Sequence, residues 1–112
     1  MKLKIEVLFF SGCPSYEPTL ELLNKILDEE GINLPIENIN VNSKDLVQKH
    51  RFLGSPSIRV DGQDIEEEAR SSNDFGQKCR IYNQDGVPSG IPSKILIKKA
   101  ILEAKNKHSC CG

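Results

Sequence analysis

Leu3, Ile5, Val7 and Phe9 fall on one side of an extended segment, with Lys2, Lys4, Glu6 and Leu8 on the other. A period of two residues is that of a strand. The segment ends Leu8-Phe9-Phe10, apolar on both faces, as expected of a central strand covered by helices. The period then lengthens. Leu20, Leu23 and Leu27 recur at helical spacing, with Leu22 and Ile26 beside them. Glu17 and Glu21 lie early, where the helix dipole favours them, and Gly31 closes the run. A helix is predicted from about Pro14 to Glu30, because the N–H that proline lacks has no partner in a first turn.

Pro35 to Val41 reads as a second strand, and Ser43 is a good N-cap for a short helix through about His50. Ser57 to Val60 is a third strand, Asp61-Gly62 a strong hairpin signal, and Gln63 to Glu66 the returning strand. From Glu67 to about Gly90 the pattern dissolves into serine, glycine and proline, with Cys79-Arg80-Ile81-Tyr82 as the one candidate short strand. A structureless stretch of that length in a small domain is unusual and often functional. Ile97, Ala100, Ile101 and Ala104 mark a last amphipathic helix entered through Pro92, and a polar tail is expected from Lys105 onward. Strands flanking a helical crossover are parallel, and a hairpin adds antiparallel strands. The expected fold is α/β, an open mixed sheet of about four strands with helices on its faces.

A chain of 112 residues makes one domain, so 1–112 is read as a single unit with a loop insert at about 67–90 and a flexible tail at about 106–112. Net charge is −1, which argues against a nucleic-acid or membrane-surface binder. The lysines at 94, 98, 99, 105 and 107 read as a solvated helix face. No stretch approaches the ~20 apolar residues of a membrane span. The charged start is unlike a signal peptide. A cytoplasmic location is therefore expected, where thiols stay reduced, and Cys13, Cys79, Cys110 and Cys111 read as free, catalytic or metal-binding. Paired zinc-ribbon spacing is absent from the sequence, and no cofactor is implied.

Cys13 carries the most chemistry. It follows the first strand and precedes the first helix, in Phe10-Ser11-Gly12-Cys13-Pro14-Ser15-Tyr16. Unpaired N–H groups and the positive end of the dipole favour thiolate there, and thiolate is the reactive form. Glu17, one turn on, opposes that effect if its carboxylate points inward. The competing reading is a small hydrophobe filling the junction.

Gly12-Cys13-Pro14-Ser15-Tyr16, followed by Gly54-Ser55-Pro56-Ser57 before a hairpin, resembles the thioredoxin fold. A closer resemblance is to small thioredoxin-like proteins with a Gly-Cys-Pro-x-Tyr start, a Leu-Gly-Ser-Pro-Ser segment and a later Cys-Arg-x-Tyr. Some of these carry thioredoxin names and others alkylmercury-lyase names. The resemblance spans the chain apart from the insert and the tail. It implies that Cys13 is the attacking cysteine, that Pro56 is cis, and that the Ser55 backbone pairs with an extended substrate. Tyr16 stands where thioredoxins hold their resolving cysteine.

Tyr16 either donates its hydroxyl to the Cys13 sulfur or packs as an aromatic against Leu20. Cys79 is the candidate second thiol, since a hairpin return would carry the chain back toward the end of the sheet holding Cys13. Otherwise it is a packed strand residue alternating with Arg80. Arg80, Asp74 and Tyr82 read as loop or surface residues that could support the site. Cys110 and Cys111, after His108, are able to bind a soft metal through sulfur or are incidental thiols of a disordered tail. His50 and His108 carry little signal.

Three functions follow as expectations. The first is a thiol–disulfide oxidoreductase acting on a protein or small-molecule disulfide or thiol through Cys13, with Cys79 or an external thiol resolving. The second is a thiolate-binding protein for a soft metal or metalloid of the mercury or arsenic type. The third is a noncatalytic interaction domain.

Overall fold

The computed structural model describes residues 3–84 and 86–109. The N-terminal alternation forms β1 (Ile5–Phe9), which lies inside a four-stranded sheet. On one side it pairs in parallel with β2 (Ile36–Asn40), from Ile5 opposite Ile36 to Phe9 opposite Asn40. On the other it pairs antiparallel with β3 (Ser57–Val60), from Ile5 opposite Val60 to Leu8 opposite Ser57. The edge is β4 (Gln63–Asp64), antiparallel to β3. Asp61 and Gly62 make the hairpin between them with φ of 54° and 80°, as the dipeptide predicts.

Helix α1 (Tyr16–Glu29) connects β1 to β2, and α2 (Lys44–His50) connects β2 to the β3 loop. Ser43 caps α2 through its hydroxyl, which accepts the Leu46 N–H at 3.2 Å. Helix α3 (Lys94–Ser109) closes the described chain, with Ser93 Oγ accepting the Leu96 N–H at 3.1 Å.

Because β1 alternates, it feeds two cores. Ile5 and Val7 pack with Ile58 and Val60 against Leu23 and Ile26 of α1 and Ile97 and Ile101 of α3. Leu8 faces the other way and packs with Val41, Val47 of α2 and Phe52. Both faces of the sheet are covered, which is why the end of β1 carries no polar alternate. No described helix is long and apolar enough to cross a membrane.

Four expectations change. Helix α1 begins at Tyr16, not Pro14, since Pro14 and Ser15 form the turn ahead of it. The returning strand stops at Asp64, because Asp64 Oδ1 accepts the Glu66 N–H at 2.9 Å and turns the chain into a 3₁₀ helix over Glu67–Ser71. The insert also forms a hairpin, β5 (Tyr82–Gln84) with β6 (Val87–Ser89), whose turn is tied by Asn83 Oδ1 accepting the Gly86 N–H at 2.7 Å. The expected polar tail is helical as far as Ser109, as no glycine or proline interrupts the run before Gly112. Cys110 and Cys111 lie outside the described residues.

Candidate functional site

The backbone of the Cys13 turn is held by local bonds. Gly12 takes φ +90°, a conformation that side chains disfavour, and lets the chain reverse after β1. The Cys13 N–H then donates to the Phe10 carbonyl at 3.3 Å, and the Cys13 carbonyl accepts the Tyr16 N–H at 3.3 Å. Cys13 is half-buried. It lines a cleft of about 540 Å³ with Phe9, Phe10, Tyr16 and Glu17. Pro14 and Pro18 have no N–H, so the donors of this turn are Ser15, Tyr16 and Glu17, and Tyr16 spends its own on Cys13. Ser15, at the N-cap, makes no side-chain capping bond.

Tyr16 does not serve the sulfur. Its hydroxyl donates to Asn38 Oδ1 of β2 at 2.8 Å. Its ring stacks on Phe9, with centroids 3.8 Å apart and planes 10° from parallel. Phe9 is thus the stacking partner, where packing on Leu20 was one of the two expectations. Burial, helped by the neighbouring Glu17 carboxylate, raises the Tyr16 hydroxyl above the ordinary tyrosine range. Asn40 Nδ2 donates to Ser11 Oγ at 3.3 Å, so β2 tethers the turn at a second point.

Leu8 pairs with Ser57, so residues 10–13, which follow β1, and residues 54–56, which precede β3, leave the sheet at the same end. The Ser55–Pro56 peptide is cis. The Ser55 backbone is not free for an extended substrate, however. Its N–H donates to the Lys78 carbonyl at 2.8 Å and its carbonyl accepts the Arg80 N–H at 2.9 Å. Cys79 thus sits opposite Ser55 in a parallel bridge, with its side chain exposed. The physical reason is the general one: a buried N–H and C=O must be paired, and the insert supplies the partners. The approach is close, since a Cβ on Gly54 would lie 3.1 Å from both Arg80 Cβ and the Lys78 carbonyl oxygen. At the far end of the insert, a Cβ on Gly90 would collide with Ser15 Oγ, so the insert also closes on the Cys13 turn.

Arg80 and Tyr82, read from sequence as loop or surface residues, anchor this arrangement from inside. Arg80 is 7% exposed. Its guanidinium donates to both Asp64 carboxylate oxygens at 2.6 and 2.7 Å, to Glu66 Oε1 at 2.7 Å and to Ser57 Oγ at 3.1 Å. It also lies over the Tyr82 ring, 4.7 Å from the centroid. Burial opposes its charge, but the bonds to Asp64 and Glu66 more than offset that and hold it protonated. Tyr82 is fully buried and donates its hydroxyl to the Pro56 carbonyl at 2.5 Å. Burial raises this hydroxyl far above the ordinary range, against the pull of Arg80. The available signal was the alternation Arg80-Ile81-Tyr82, which puts Arg80 and Tyr82 on one side and leaves Ile81 64% exposed. Asp74 bonds Lys78 at 2.5 Å on the surface and takes no part in this cluster.

Ser55 Oγ and Thr19 Oγ1 are buried without a hydrogen-bond partner among the described residues. No group of three or more His, Cys, Asp or Glu side chains among the described residues could hold a metal ion. His50 closes α2 and has no part in the site. No family model matches the chain, and no curated protein or solved structure gives a significant match.

Proposed function

We propose that this chain is a thioredoxin-like thiol–disulfide oxidoreductase in which Cys13 attacks and Cys79 resolves. One observation carries the reading: the insert seats Cys79 against Ser55, at the end of the sheet where the Cys13 turn begins. The sheet order β2-β1-β3-β4, the helices on both its faces and the cis peptide before Pro56 agree with the resemblance.

In the reaction, the Cys13 thiolate attacks one sulfur of a substrate disulfide. A mixed disulfide forms and the other substrate sulfur leaves as thiolate, taking a proton from solvent. The Cys79 thiolate then attacks Cys13 Sγ, releasing the second substrate thiol and leaving a Cys13–Cys79 disulfide. The substrate has gained two electrons and the protein has lost two, which an external thiol pair restores. Because the Ser55 edge is already occupied, the substrate favoured is a small disulfide and not an extended peptide.

Incubation with hydroxyethyl disulfide followed by peptide mass mapping tests the reading. A Cys13–Cys79 linkage is expected, with exchange lost in Cys13→Ser and kept in Cys110→Ser. Adducts that stop on Cys13 would remove Cys79 from the cycle. An unmodified Cys13 would end the redox reading.

A further inference from the structure

The chain has four arginines, at 51, 59, 70 and 80. Arg80 is consumed by Asp64 and Glu66. The other three, Arg51, Arg59 and Arg70, line one open pocket of about 300 Å³ together with Gln63, Ser72 and Phe75. They come from three separate elements: the C-cap of α2, the middle of β3 and the 3₁₀ helix.

None of the three forms an ion pair among the described residues. Each is instead oriented by a neutral contact. Arg59 Nη2 donates to the Arg51 carbonyl at 3.0 Å. Arg70 Nε donates to the Asp64 carbonyl at 2.8 Å. Arg51 lies over the Phe75 ring, 5.5 Å from its centroid. The bonds of Arg59 and Arg70 each use one N–H, and the ring contact of Arg51 uses none, so donors of each planar fork remain to face a ligand.

The carboxylates nearby are already engaged. Asp64 gives both oxygens to Arg80, and Glu6, across the sheet from Arg59, lies 3.7 Å from Lys4 Nζ. Arg59 is partly buried. Burial first, and then the positive charges of Arg80 and Arg51, push its guanidinium below the ordinary arginine value, against the attraction of Asp64 and Glu6. Like charges converging on a half-buried pocket are stabilised by an anion between them.

We propose that Arg51, Arg59 and Arg70 form a binding site for a phosphate or phosphomonoester group. Three guanidinium forks match the several oxygens of a dianionic phosphate, and the volume admits a small molecule that carries one. The site is independent of Cys13 and stands whether or not the redox reading does.

The test is a titration of the full chain with inorganic phosphate, and separately with glycerol 3-phosphate and with glycerol, followed by backbone NMR at constant ionic strength set with chloride. Saturable shifts centred on residues 51, 59 and 70 are expected with both phosphates and not with glycerol. Tighter binding of glycerol 3-phosphate assigns the site to an organic phosphomonoester, and equal binding assigns it to the phosphate group alone. Arg70→Gln, at an exposed position, and Arg59→Gln should each weaken binding by about tenfold or more. Lys25→Gln, on α1, should leave binding unchanged. Absence of saturation overturns the proposal. So does unchanged affinity in Arg70→Gln, or an equal loss in Lys25→Gln, which would reduce the effect to net charge. Arg70→Gln decides the matter even if Arg59→Gln fails to fold.

Discussion

The turn carrying Cys13 and the stretch carrying Cys79 meet the same end of the sheet but are held there by different forces. The backbone of the first is fixed by its neighbours in sequence, a strand that ends, a glycine that reverses, and bonds from residue 13 to residues 10 and 16, with two side-chain bonds to β2 added at Ser11 and Tyr16. The second is fixed from far away, by Ser55 on its backbone and by Asp64 and Glu66 on Arg80. A locally built turn survives loss of a distant partner. A stretch built on a buried ion pair does not, because the partner left behind is a charge without compensation.

The largest expected effect tests that difference directly. Arg80→Met strands Asp64, which is 5% exposed, and should cost about 3–5 kcal/mol of unfolding free energy by urea titration. Hydrogen exchange should rise at Cys79 and Arg80 while the amides of α1 keep their relative protection. Adding Asp64→Leu to that variant should recover most of the loss, since an apolar pair can replace a buried ionic one. Failure of the rescue would mean that packing, and not the uncompensated charge, sets the penalty.

Tyr82→Phe comes next. Losing the bond to the Pro56 carbonyl should cost about 1–2 kcal/mol. The same residue predicts a pH dependence. Its hydroxyl titrates higher in the folded state than in the unfolded chain, chiefly because it is buried. Its contribution is therefore complete below the unfolded value of about 10 and falls as pH rises above it. Stability measured on either side of that value should drop in the wild type and drop less in Tyr82→Phe. An equal drop in both would place the alkaline loss elsewhere.

On the local side the effects are smaller. Tyr16→Phe keeps the stack on Phe9 and loses only the bond to Asn38, at a cost of about 1 kcal/mol or less. The rate of Cys13 alkylation should not change, because the hydroxyl does not reach the sulfur. A changed rate would return Tyr16 to the reaction. Thr19→Val replaces a buried hydroxyl, without a hydrogen-bond partner among the described residues, by a methyl group of the same shape, and should be neutral or stabilising by about 0.5–1 kcal/mol in thermal unfolding.

Much of the architecture was legible because it is periodic. The alternation from Leu3 to Phe9 and the leucines of α1 mark the central strand and its crossover helix, and Ser43 and Asp61-Gly62 mark a cap and a turn. Cys13 stood out for the same reason, at a boundary between two periods. The insert was not legible. Arg80 and Asp64 are 16 residues apart, Ser55 and Cys79 further still, and nothing at one position signals the other. The Ser55 edge read as open because the pattern of residues 54–57 says nothing of what pairs with them.

By itself, then, the order of residues determined the four strands of the main sheet and the three α-helices, apart from some of their ends, and the place of one thiol, since those depend on periods and caps within a few neighbours. Only the tertiary structure decided that the insert fills the Ser55 edge, that Tyr16 turns toward Asn38, and that three arginines share a pocket. Such outcomes depend on which buried donors find acceptors, and on which charges find none, once distant segments are brought together.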